Sequence, residues 1–408
     1  MHNKSNAIFC VSPSYLHPHS LSFRPGQTFP GEEYQTVYFP LMSRSVTDPR
    51  LTFHASYHDP HSEIDHHFLV LYFTDGTVEL IDSKSQKTIL KRTGGCQNLS
   101  IDQLFLGSSI VVFGKILKLY AYGDVVTEQL CEKTGEATCA VFSEDAFPAL
   151  GKHLDVLIQE CSYSVAGMQT VVVPLSGAVG AKGSLQLPAV FRGRRAVVMR
   201  LIRDNAIQRS QELPARLAGQ SGVMWVARDK SEVEEASYLF SLANAATAGA
   251  GSAASSSVVV VKPHVLRSRR GGEALHLLLQ NCSEFGGRLQ AISQLALSSA
   301  QADQFTQPYK GIIGEMYRGT VEQLSAGTLW AIQLVGQNTT SDAATFVENV
   351  RTVAGPFDPS IAKVLRPASL RARFGLDVAH NGLYCTDLPE DAADDVAALF
   401  YGQFVQQA

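Results

Sequence analysis

The segment HLDVLIQECSYSVAGMQTVVVPLSGA, residues 153–178, returns in similar form as LHLLLQNCSEFGGRLQAISQLALSSA, residues 275–300. Two further pairs repeat in the same order, AVVMRLIRDNA (196–206) with LWAIQLVGQNT (329–339) and SEVEEASYLF (231–240) with EDAADDVAALF (390–400). Self-similarity in a fixed order indicates a repeated structural unit. We therefore predict two related modules, of which the first is shortened, mainly between its middle strand and its last helix.

Each copy alternates strands with helices. TCAVF (138–142) is typical of a buried strand, and AFPALGKHLDVLIQEC (146–161) has helical periodicity. The same order follows at VVVV (258–261) and GEALHLLLQNC (272–282). The Ala/Gly/Ser composition of the segment between them is typical of a flexible linker. The predicted boundaries are residues 136–242 for the first module, 243–257 for the linker and 258–406 for the second module.

The part of the chain before the repeat is predicted to be β structure. HFLVLYF (67–73) and TVELID (77–82) flank Asp75-Gly76, a strong hairpin signal because glycine tolerates positive φ. A second apolar pair is SIVVFG (109–114) with ILKLYAYG (116–123). We predict an all-β domain over residues 44–133, a small barrel or sandwich without a long helix. Residues 1–43 show no periodicity and are predicted to be an extended arm.

Composition excludes several classes of partner. The chain has 408 residues, 45% hydrophobic and 18% charged, with a formal charge of −4. This balance gives no sign of a nucleic-acid partner or an anionic membrane surface. No apolar run approaches the roughly 20 residues that span a bilayer. We therefore expect neither a nucleic-acid nor a membrane partner.

Two sets of metal-ligand residue types are present, and neither predicts a metal site. The seven cysteines are scattered and lack a C-x-x-C pair, which fits inert thiols in a reducing compartment. Five histidines crowd one stretch of the β domain: His54, His58, His61, His66 and His67. A zinc site needs three or four convergent ligands, and we favour a solvated loop over such a site.

The second module resembles the nucleoside diphosphate kinase family. The resemblance is carried by four segments: VVVVKP (258–263), GPFDP (355–359), LRPASLRARFG (365–375) and NGLYCTDLPED (381–391). The first module matches the same family weakly, mainly through LIRDNAI (201–207). The resemblance implies an α+β multidomain protein, with two ferredoxin-like βαββαβ domains behind an all-β domain that is PH-like or a barrel.

The β domain resembles the DM-ten domain. The matching segments are ASYHDP (55–60), DGTVELID (75–82), ILKR (89–92), DQLFLG (102–107) and YGDVVT (122–127). One such domain before two kinase-like domains is the layout of family members from cilia and flagella. That resemblance implies a location in the axoneme as a microtubule inner protein of doublet microtubules, part of the cytoskeleton. The implied partners are tubulin and other axonemal inner proteins.

The family's phosphoryl carrier is a histidine three residues after an asparagine, and here Tyr384 follows Asn381 at that distance. Imidazole suits the relay because it is uncharged near neutral pH and leaves readily once phosphorylated. A phenol with pKa about 10 is a poor nucleophile at neutral pH and gives a more stable phosphoester. In the first module, Trp225 falls at or next to the same position. We therefore predict a degenerate kinase that is not an enzyme.

Other family positions are kept in the second module. The resemblance matches Lys262, Arg351 and Arg371 to phosphate contacts, Tyr309 to a neighbouring tyrosine and Asn381 to a ribose contact. Guanidinium groups suit phosphate oxygens geometrically. These five residues are either relics that hold the loop or a weak site for nucleotide and magnesium; we predict no other cofactor.

Three further positions depart from the family pattern. Phe357 replaces a phosphate-binding threonine, Tyr317 is the candidate aromatic for stacking on the base, and Ser143 is the first module's counterpart of Lys262. Asp395 stands where the family has a glutamate that orients the histidine, and without a histidine we interpret it as a helix-surface charge.

The sequence thus supports one leading function and two rivals. The leading hypothesis is a non-catalytic structural protein of the axoneme. The first rival is a nucleotide-binding sensor without turnover, and the second is a residual kinase with an unrecognised nucleophile.

Overall fold

The computed structural model describes most of the chain. The described residues are 9–10, 36–37, 50–59, 62–94, 99, 101, 104–105, 108–180, 183–203, 205–218, 224–246, 255–336 and 343–404. Most of the predicted arm, residues 1–43, lies outside them. The described part of that arm is an antiparallel pair, β1 (Phe9–Cys10) and β2 (Thr36–Val37).

An open antiparallel sheet follows, a half-barrel with strand order β6-β5-β4-β3-β8-β7. Its elements are β3 (Arg50–Asp59), β4 (Ile64–Phe73), β5 (Val78–Asp82), β6 (Thr88–Thr93), β7 (Ser109–Val112), β8 (Lys115–Tyr122) and α1 (Val125–Thr134). The predicted hairpin forms at Asp75-Gly76, where Gly76 has φ of +79°. Phe53, Val70 and Leu117 are fully buried in the core of this sheet.

The half-barrel confirms the prediction of β structure in this part of the chain, and helix α1, which follows the strands, is an element that the sequence did not predict. Asp124 caps the helix by accepting a hydrogen bond from the backbone N–H of Thr127. The Thr127 hydroxyl in turn accepts from the backbone N–H of Thr52 on β3, which ties the helix to the sheet. The sequence missed α1 because its apolar residues have little helical periodicity, whereas its cap is a strong local signal.

The first α/β module follows α1. Its elements are β9 (Glu136–Ser143), α2 (Leu150–Asp155), β10 (Ser164–Val172), β11 (Ala178–Val179), β12 (Leu185–Gln186), β13 (Arg195–Arg203), α3 (Ala206–Ser210), α4 (Leu213–Ala218), β14 (Met224–Val226) and α5 (Lys230–Ser237). The helix predicted over residues 146–161 is less regular than its sequence suggests. It runs as a 3₁₀ segment at 144–149, then α2, then a π turn at 156–160.

The second module is longer, as the repeat predicts. Its elements are β15 (Ser256–Val261), α6 (Pro263–Arg267), α7 (Gly271–Ser283), β16 (Gly287–Ala296), α8 (Ser299–Thr306), α9 (Lys310–Ile313), α10 (Met316–Leu324), β17 (Thr328–Gly336), α11 (Ala343–Ala354), α12 (Pro359–Leu365), α13 (Leu370–Phe374), β18 (Leu383–Cys385) and α14 (Asp391–Tyr401).

The predicted linker, residues 243–257, is shorter than the composition indicates. At its start, Asn244 forms a β-bridge with Val171, and Ala245 donates to the Thr170 carbonyl. At its end, β15 begins at Ser256. Residues 247–254 of the predicted linker lie outside the described part.

The two modules join in one eight-stranded antiparallel sheet. The strand order is β14-β9-β13-β10-β16-β17-β15-β18, so the order of the first module runs in reverse through the second. The junction is the pairing of β10 with β16, at Gln169 and Ser293. An approximate two-fold axis therefore passes through that pair.

One face of this sheet carries a helix layer shared by both modules. Leu150 and Leu154 of the first module and Leu275 and Leu278 of the second are fully buried in a single core. Burial of such side chains contributes about 1.5–3 kcal/mol each. The two modules are thus held together by a common hydrophobic core as well as by strand pairing.

The helices of that layer cross at two glycines. A Cβ atom on Gly151 of α2 would lie 2.1 Å from the backbone nitrogen of His276 on α7. A Cβ atom on Gly272 of α7 would lie 2.3 Å from the backbone nitrogen of Asp155. Glycine is required at both positions because the helix backbones themselves touch.

The β domain contacts the second module through one turn. The backbone N–H of Ser299, at the start of α8, donates to the carbonyl of Gly114 between β7 and β8 at 3.0 Å.

Among the helices in the described part of the chain, none has the length and apolar character to cross a bilayer.

Candidate functional site

A cleft of about 660 Å³ opens in the second module. It lies beside β18, between the α8–α10 segment and the α11–α13 segment, and Lys262, Tyr309, Arg351, Arg371 and Tyr384 all line it. Its volume is within the range of pockets that bind small molecules. The fold therefore brings four of the five predicted nucleotide-binding residues together with the tyrosine at the histidine position.

The contacts of Tyr384 argue against a role as phosphoryl acceptor. Its hydroxyl donates to the carboxylate of Asp395, 2.9 Å from each oxygen, and lies 3.4 Å from the hydroxyl of Tyr309. The ring packs edge-on against Phe305, with ring centres 4.9 Å apart. Burial, with a smaller contribution from the Asp395 charge, holds the pKa of Tyr384 well above its usual value. The phenol is therefore a neutral donor at physiological pH.

Asp395 is a correction to the sequence interpretation, because it is not a helix-surface charge. Its side chain is buried and also accepts a hydrogen bond of 2.7 Å from the Thr386 hydroxyl. Burial raises the pKa of Asp395 to about 7, although hydrogen bonds from Thr386 and Tyr384 favour the carboxylate. The missed signal is the spacing of α14, where Ala392, Asp395, Val396 and Leu399 share the buried face.

Lys262 lies at the inner end of the cleft and is 2% exposed. Its amine donates to the carbonyl of Ala379 at 3.1 Å. Burial, with repulsion from Arg371, lowers the pKa of Lys262 to about 7. The amine thus loses much of its charge in the absence of an anion.

Arg371 and Asn381 hold the loop at the edge of the cleft. The Arg371 guanidinium donates to the carbonyls of Gly355, at 2.7 Å, and Leu383, at 3.2 Å. The Asn381 amide donates to the carbonyl of Phe357 at 3.1 Å, and Asn381 is fully buried behind the cleft rather than in its lining. Donors spent on backbone carbonyls stabilise the loop and leave fewer for a phosphate.

The cationic rim of the cleft is partly neutralised. Arg351 forms an ion pair with Asp387 at 3.2 Å. The Arg366 side chain, which sequence reasoning missed, lines the cleft and forms no ion pair with any described residue. Phe357 lines the cleft and is 40% exposed, and the Arg371 guanidinium lies 5.6 Å from its ring centre. The rim thus keeps one unpaired cation beside an apolar surface.

The candidate stacking aromatic, Tyr317, lies outside the cleft lining. Its hydroxyl donates to the Asp303 side chain at 2.9 Å, which fixes it on the far side of the α8–α10 segment. Apolar side chains at the mouth are instead Ile312, which is 79% exposed, and Leu365, which is 69% exposed.

The corresponding positions of the first module differ in chemistry but not in register. Trp225 pairs with Val141 of β9, as Tyr384 pairs with Val260 of β15. Ser143 ends β9 at the place that Lys262 takes after β15; it is 1% exposed, and its hydroxyl has no partner among the described residues. Within the segment 211–222, the described residues include the short helix α4 (Leu213–Ala218).

Two arginines of the basic segment RGRR, residues 192–195, form ion pairs within the fold. Arg194 forms a two-pronged ion pair with Asp145, and Arg195 pairs with Glu144 at 2.5 Å.

The histidines of the β domain lie mainly on two strands. His54 and His58 lie on β3, and His66 and His67 on β4, whereas His61 lies outside the described residues. Within the described part of the chain, no group of three or more histidine, cysteine or acidic side chains could hold a metal ion.

The family model and a curated relative both match the second module. Residues 255–404 match the family model described as nucleoside diphosphate kinase. Nucleoside diphosphate kinase of Aquifex aeolicus is 26% identical over 145 residues, 36% of this chain and 93% of that protein. A crystal form of the Aquifex aeolicus enzyme covers 38% of this chain and 99% of its own, at 24% identity and a TM-score of 0.32.

Two relatives extend the similarity to the rest of the chain. Nucleoside diphosphate kinase homolog 7 from rat and its counterpart from mouse are each 28% identical over 390 residues. In both cases the match covers 88% of this chain and 95% of the relative. The chain is thus similar to nucleoside diphosphate kinase homolog 7 over most of its length, and residues 255–404 form its nucleoside-diphosphate-kinase-like domain.

Proposed function

We propose that this protein is a non-catalytic member of the kinase-like group and serves as a structural component. The observation that carries the proposal is the hydrogen bond from Tyr384 to Asp395 at the place of the phosphoryl-accepting histidine. No histidine is among the described residues that line the cleft. A neutral buried phenol cannot relay a phosphoryl group between two nucleotides at a useful rate.

The architecture supports a scaffold role in the same proposal. The half-barrel with α1 is taken as a PH-like domain of the DM-ten kind, and the first α/β module as a second, shortened kinase-like domain. A single core joins the two modules, so they present one rigid surface. We place the protein in the ciliary or flagellar axoneme, bound to tubulin and to other inner proteins of doublet microtubules. The three-domain layout of ciliary family members supports this location.

The catalytic half of the proposal is tested by phosphoryl transfer. Purified full-length chain is incubated with labelled ATP and a nucleoside diphosphate, and acid-labile phosphohistidine is trapped. We expect transfer no faster than a mock preparation from the same host. The matched variant is Tyr384→His, in which any gained turnover would show that the cleft is otherwise competent. Transfer by the unmodified chain well above background would overturn the proposal.

The structural half is tested by location. Tagged protein in flagellated cells is followed through detergent extraction, and we expect it to stay with the axoneme. Release of the full chain with the soluble fraction would remove this part of the proposal while leaving the catalytic part intact.

A nucleotide sensor is the second candidate, supported by the open cleft and by the unpaired Arg366 at its rim. The residues fit a polyphosphate in part, because Lys262 and Arg351 face the cleft but Arg371 is committed to carbonyls. Calorimetric titration with ATP and with GDP, each with magnesium, tests it. We expect dissociation constants in the millimolar range, weakened several-fold in Arg366→Gln. No heat of binding at millimolar nucleotide would exclude the sensor.

A further inference from the structure

A second concavity, the seam crevice, lies where the two modules meet. It has a volume of about 110 Å³ and is far smaller than the cleft. Residues from both modules line it, among them Ser164 of β10, Arg267 and Arg269 next to α6, Gln294 of β16 and Thr328 of β17. Its position at the seam means that anything bound there contacts both halves of the sheet.

The seam crevice carries two cations without a carboxylate. The Arg267 guanidinium donates to the Ala326 carbonyl at 3.4 Å, and Arg269 donates to the Ile158 carbonyl at 2.5 Å. Neither side chain forms an ion pair with a described acidic residue. Burial alone lowers the pKa of Arg267 to about 10, with no acidic group opposing it. A half-buried guanidinium normally has an anionic partner, because its desolvation is costly.

The opposite end of the seam has the carboxylate that the seam crevice lacks. Across the two-fold axis at Gln169 and Ser293, Arg195 pairs with Val172 in the register and Thr328 pairs with Ala296. Thr328 is therefore the symmetry counterpart of Arg195. The two ends of one seam can be compared position by position.

At the Arg195 end, the chain supplies both charges itself. The Arg195 guanidinium pairs with Glu144 at 2.5 Å and donates to the Gln290 carbonyl of the other module at 2.9 Å. This side chain fills the seam and joins the two modules. At the other end, the small Thr328 leaves space, and the charges that face it are Arg267 and Arg269.

We propose that the seam crevice binds one small tetrahedral oxyanion, either inorganic phosphate or the phosphate group of a small phosphomonoester, and that the anion joins the two modules. Guanidinium groups match phosphate oxygens in geometry and charge. The hydroxyls of Ser164 and Thr328 in the same lining are further donors. The volume admits a phosphate group and excludes a nucleotide, so this site is distinct from the cleft and does not rest on the proposed function.

The test uses thermal unfolding of the full-length chain in inorganic phosphate against sodium chloride of equal ionic strength. A ligand that binds only the folded state raises the unfolding midpoint, by about 1.5–2 °C when phosphate is present at about ten times its dissociation constant. We expect this rise for the native chain, its loss in Arg267→Gln, and its retention in Arg318→Gln. The latter removes an exposed arginine that pairs with Glu322 on its own helix.

Two further arms identify the source of the anion and its place. Glycerol phosphate replaces inorganic phosphate to separate a phosphomonoester from the free ion; a rise with either supports the site. Arg351→Gln tests the cleft instead of the seam. A rise that disappears in Arg351→Gln and persists in Arg267→Gln would assign the phosphate to the cleft and overturn the proposal, as would no rise in the native chain.

Thr328→Glu keeps the proposal testable if Arg267→Gln does not fold. This variant supplies a carboxylate to Arg267 from within the chain. We expect a higher unfolding midpoint without phosphate and no further rise on its addition. An unchanged phosphate response in folded Thr328→Glu would refute the site.

Discussion

The two α/β modules have the same strand order but different chemistry at matched positions. Tyr384 and Trp225 pair with equivalent residues of β15 and β9, where Lys262 follows β15 and Ser143 ends β9. The cleft of the second module is walled by segments that the first module shortens, because residues 204–223 stand in place of residues 337–382. The comparison teaches that the sheet is set by the strands, whereas a ligand site depends on the connections between them.

The shared helix layer explains why the first module can keep its fold without a site. Leu150 and Leu154 of the first module are buried in the same core as Leu275 and Leu278 of the second. Each module therefore supplies part of the other's core. The four leucines lie on α2 and α7, whereas Lys262, Arg351 and Arg371 line the cleft beside β18. Chemistry at the site can therefore change while the architecture persists.

The largest expected loss of stability comes from disrupting the crossing of α2 and α7, where the two modules touch. Gly151→Val and Gly272→Val each force side-chain atoms into the backbone of the facing helix, within 2.1 Å and 2.3 Å already at Cβ. We expect each variant to lose about 4–5 kcal/mol of unfolding free energy, because neither helix backbone can retreat without opening the core. Chemical denaturation monitored by circular dichroism measures the loss.

Gly311→Ala is the control for these glycine variants. A Cβ atom there meets nothing within 4 Å, and the substitution favours helix α9. We expect a change of less than about 1 kcal/mol. If Gly151→Val were as stable as this control, the helix crossing would not hold the modules together.

The fold was predictable to the extent that its signals are local and repeated. Asp75-Gly76 fixed the first hairpin, and the repeat of residues 153–178 at 275–300 predicted two modules of unequal length. The joining of both modules into one sheet was not predictable. It depends on the pairing of Gln169 with Ser293 and on close helix contact, which no short-range pattern specifies.

The candidate site was predictable by residue type more than by contact. Lys262, Arg351 and Arg371 lie around one cleft, but only the structure shows that Arg371 spends its donors on backbone carbonyls. Asp395 was misjudged because a charge on a predicted helix was assumed to face water. Hydrogen-bond partners and burial depend on packing between distant segments, which sequence spacing does not contain.

Replacing Lys262 by methionine makes the second module more like the first. Because burial lowers the pKa of this amine to about 7, the folded state binds fewer protons than the unfolded state between pH 7 and about 10. The cost of the buried charge is full below pH 7 and is relieved as pH rises. We expect Lys262→Met to gain about 2–3 kcal/mol at pH 6, with the gain shrinking towards pH 10.

Denaturant unfolding at pH 6, 8 and 10 measures this dependence, and Lys363→Met is the matched control. Lys363 is exposed on α12, so its removal should leave the pH dependence unchanged. A constant difference between Lys262→Met and the native chain across this range would contradict a depressed amine pKa in the folded protein.

The smallest expected effect concerns the first module's counterpart of that lysine. The Ser143 hydroxyl is buried and has no hydrogen-bond partner among the described residues, so it carries an uncompensated desolvation cost. We expect Ser143→Ala to raise the unfolding free energy by up to about 1 kcal/mol.

Thr386→Val is the contrasting variant in the second module, because the Thr386 hydroxyl donates to Asp395 and accepts from the backbone N–H of Val258. Its loss should destabilise the fold by about 1–3 kcal/mol. If the two substitutions change the free energy of unfolding in opposite directions, the buried hydroxyl stabilises the second module and destabilises the first. If both substitutions lower it equally, the Ser143 hydroxyl has a hydrogen-bond partner in solution.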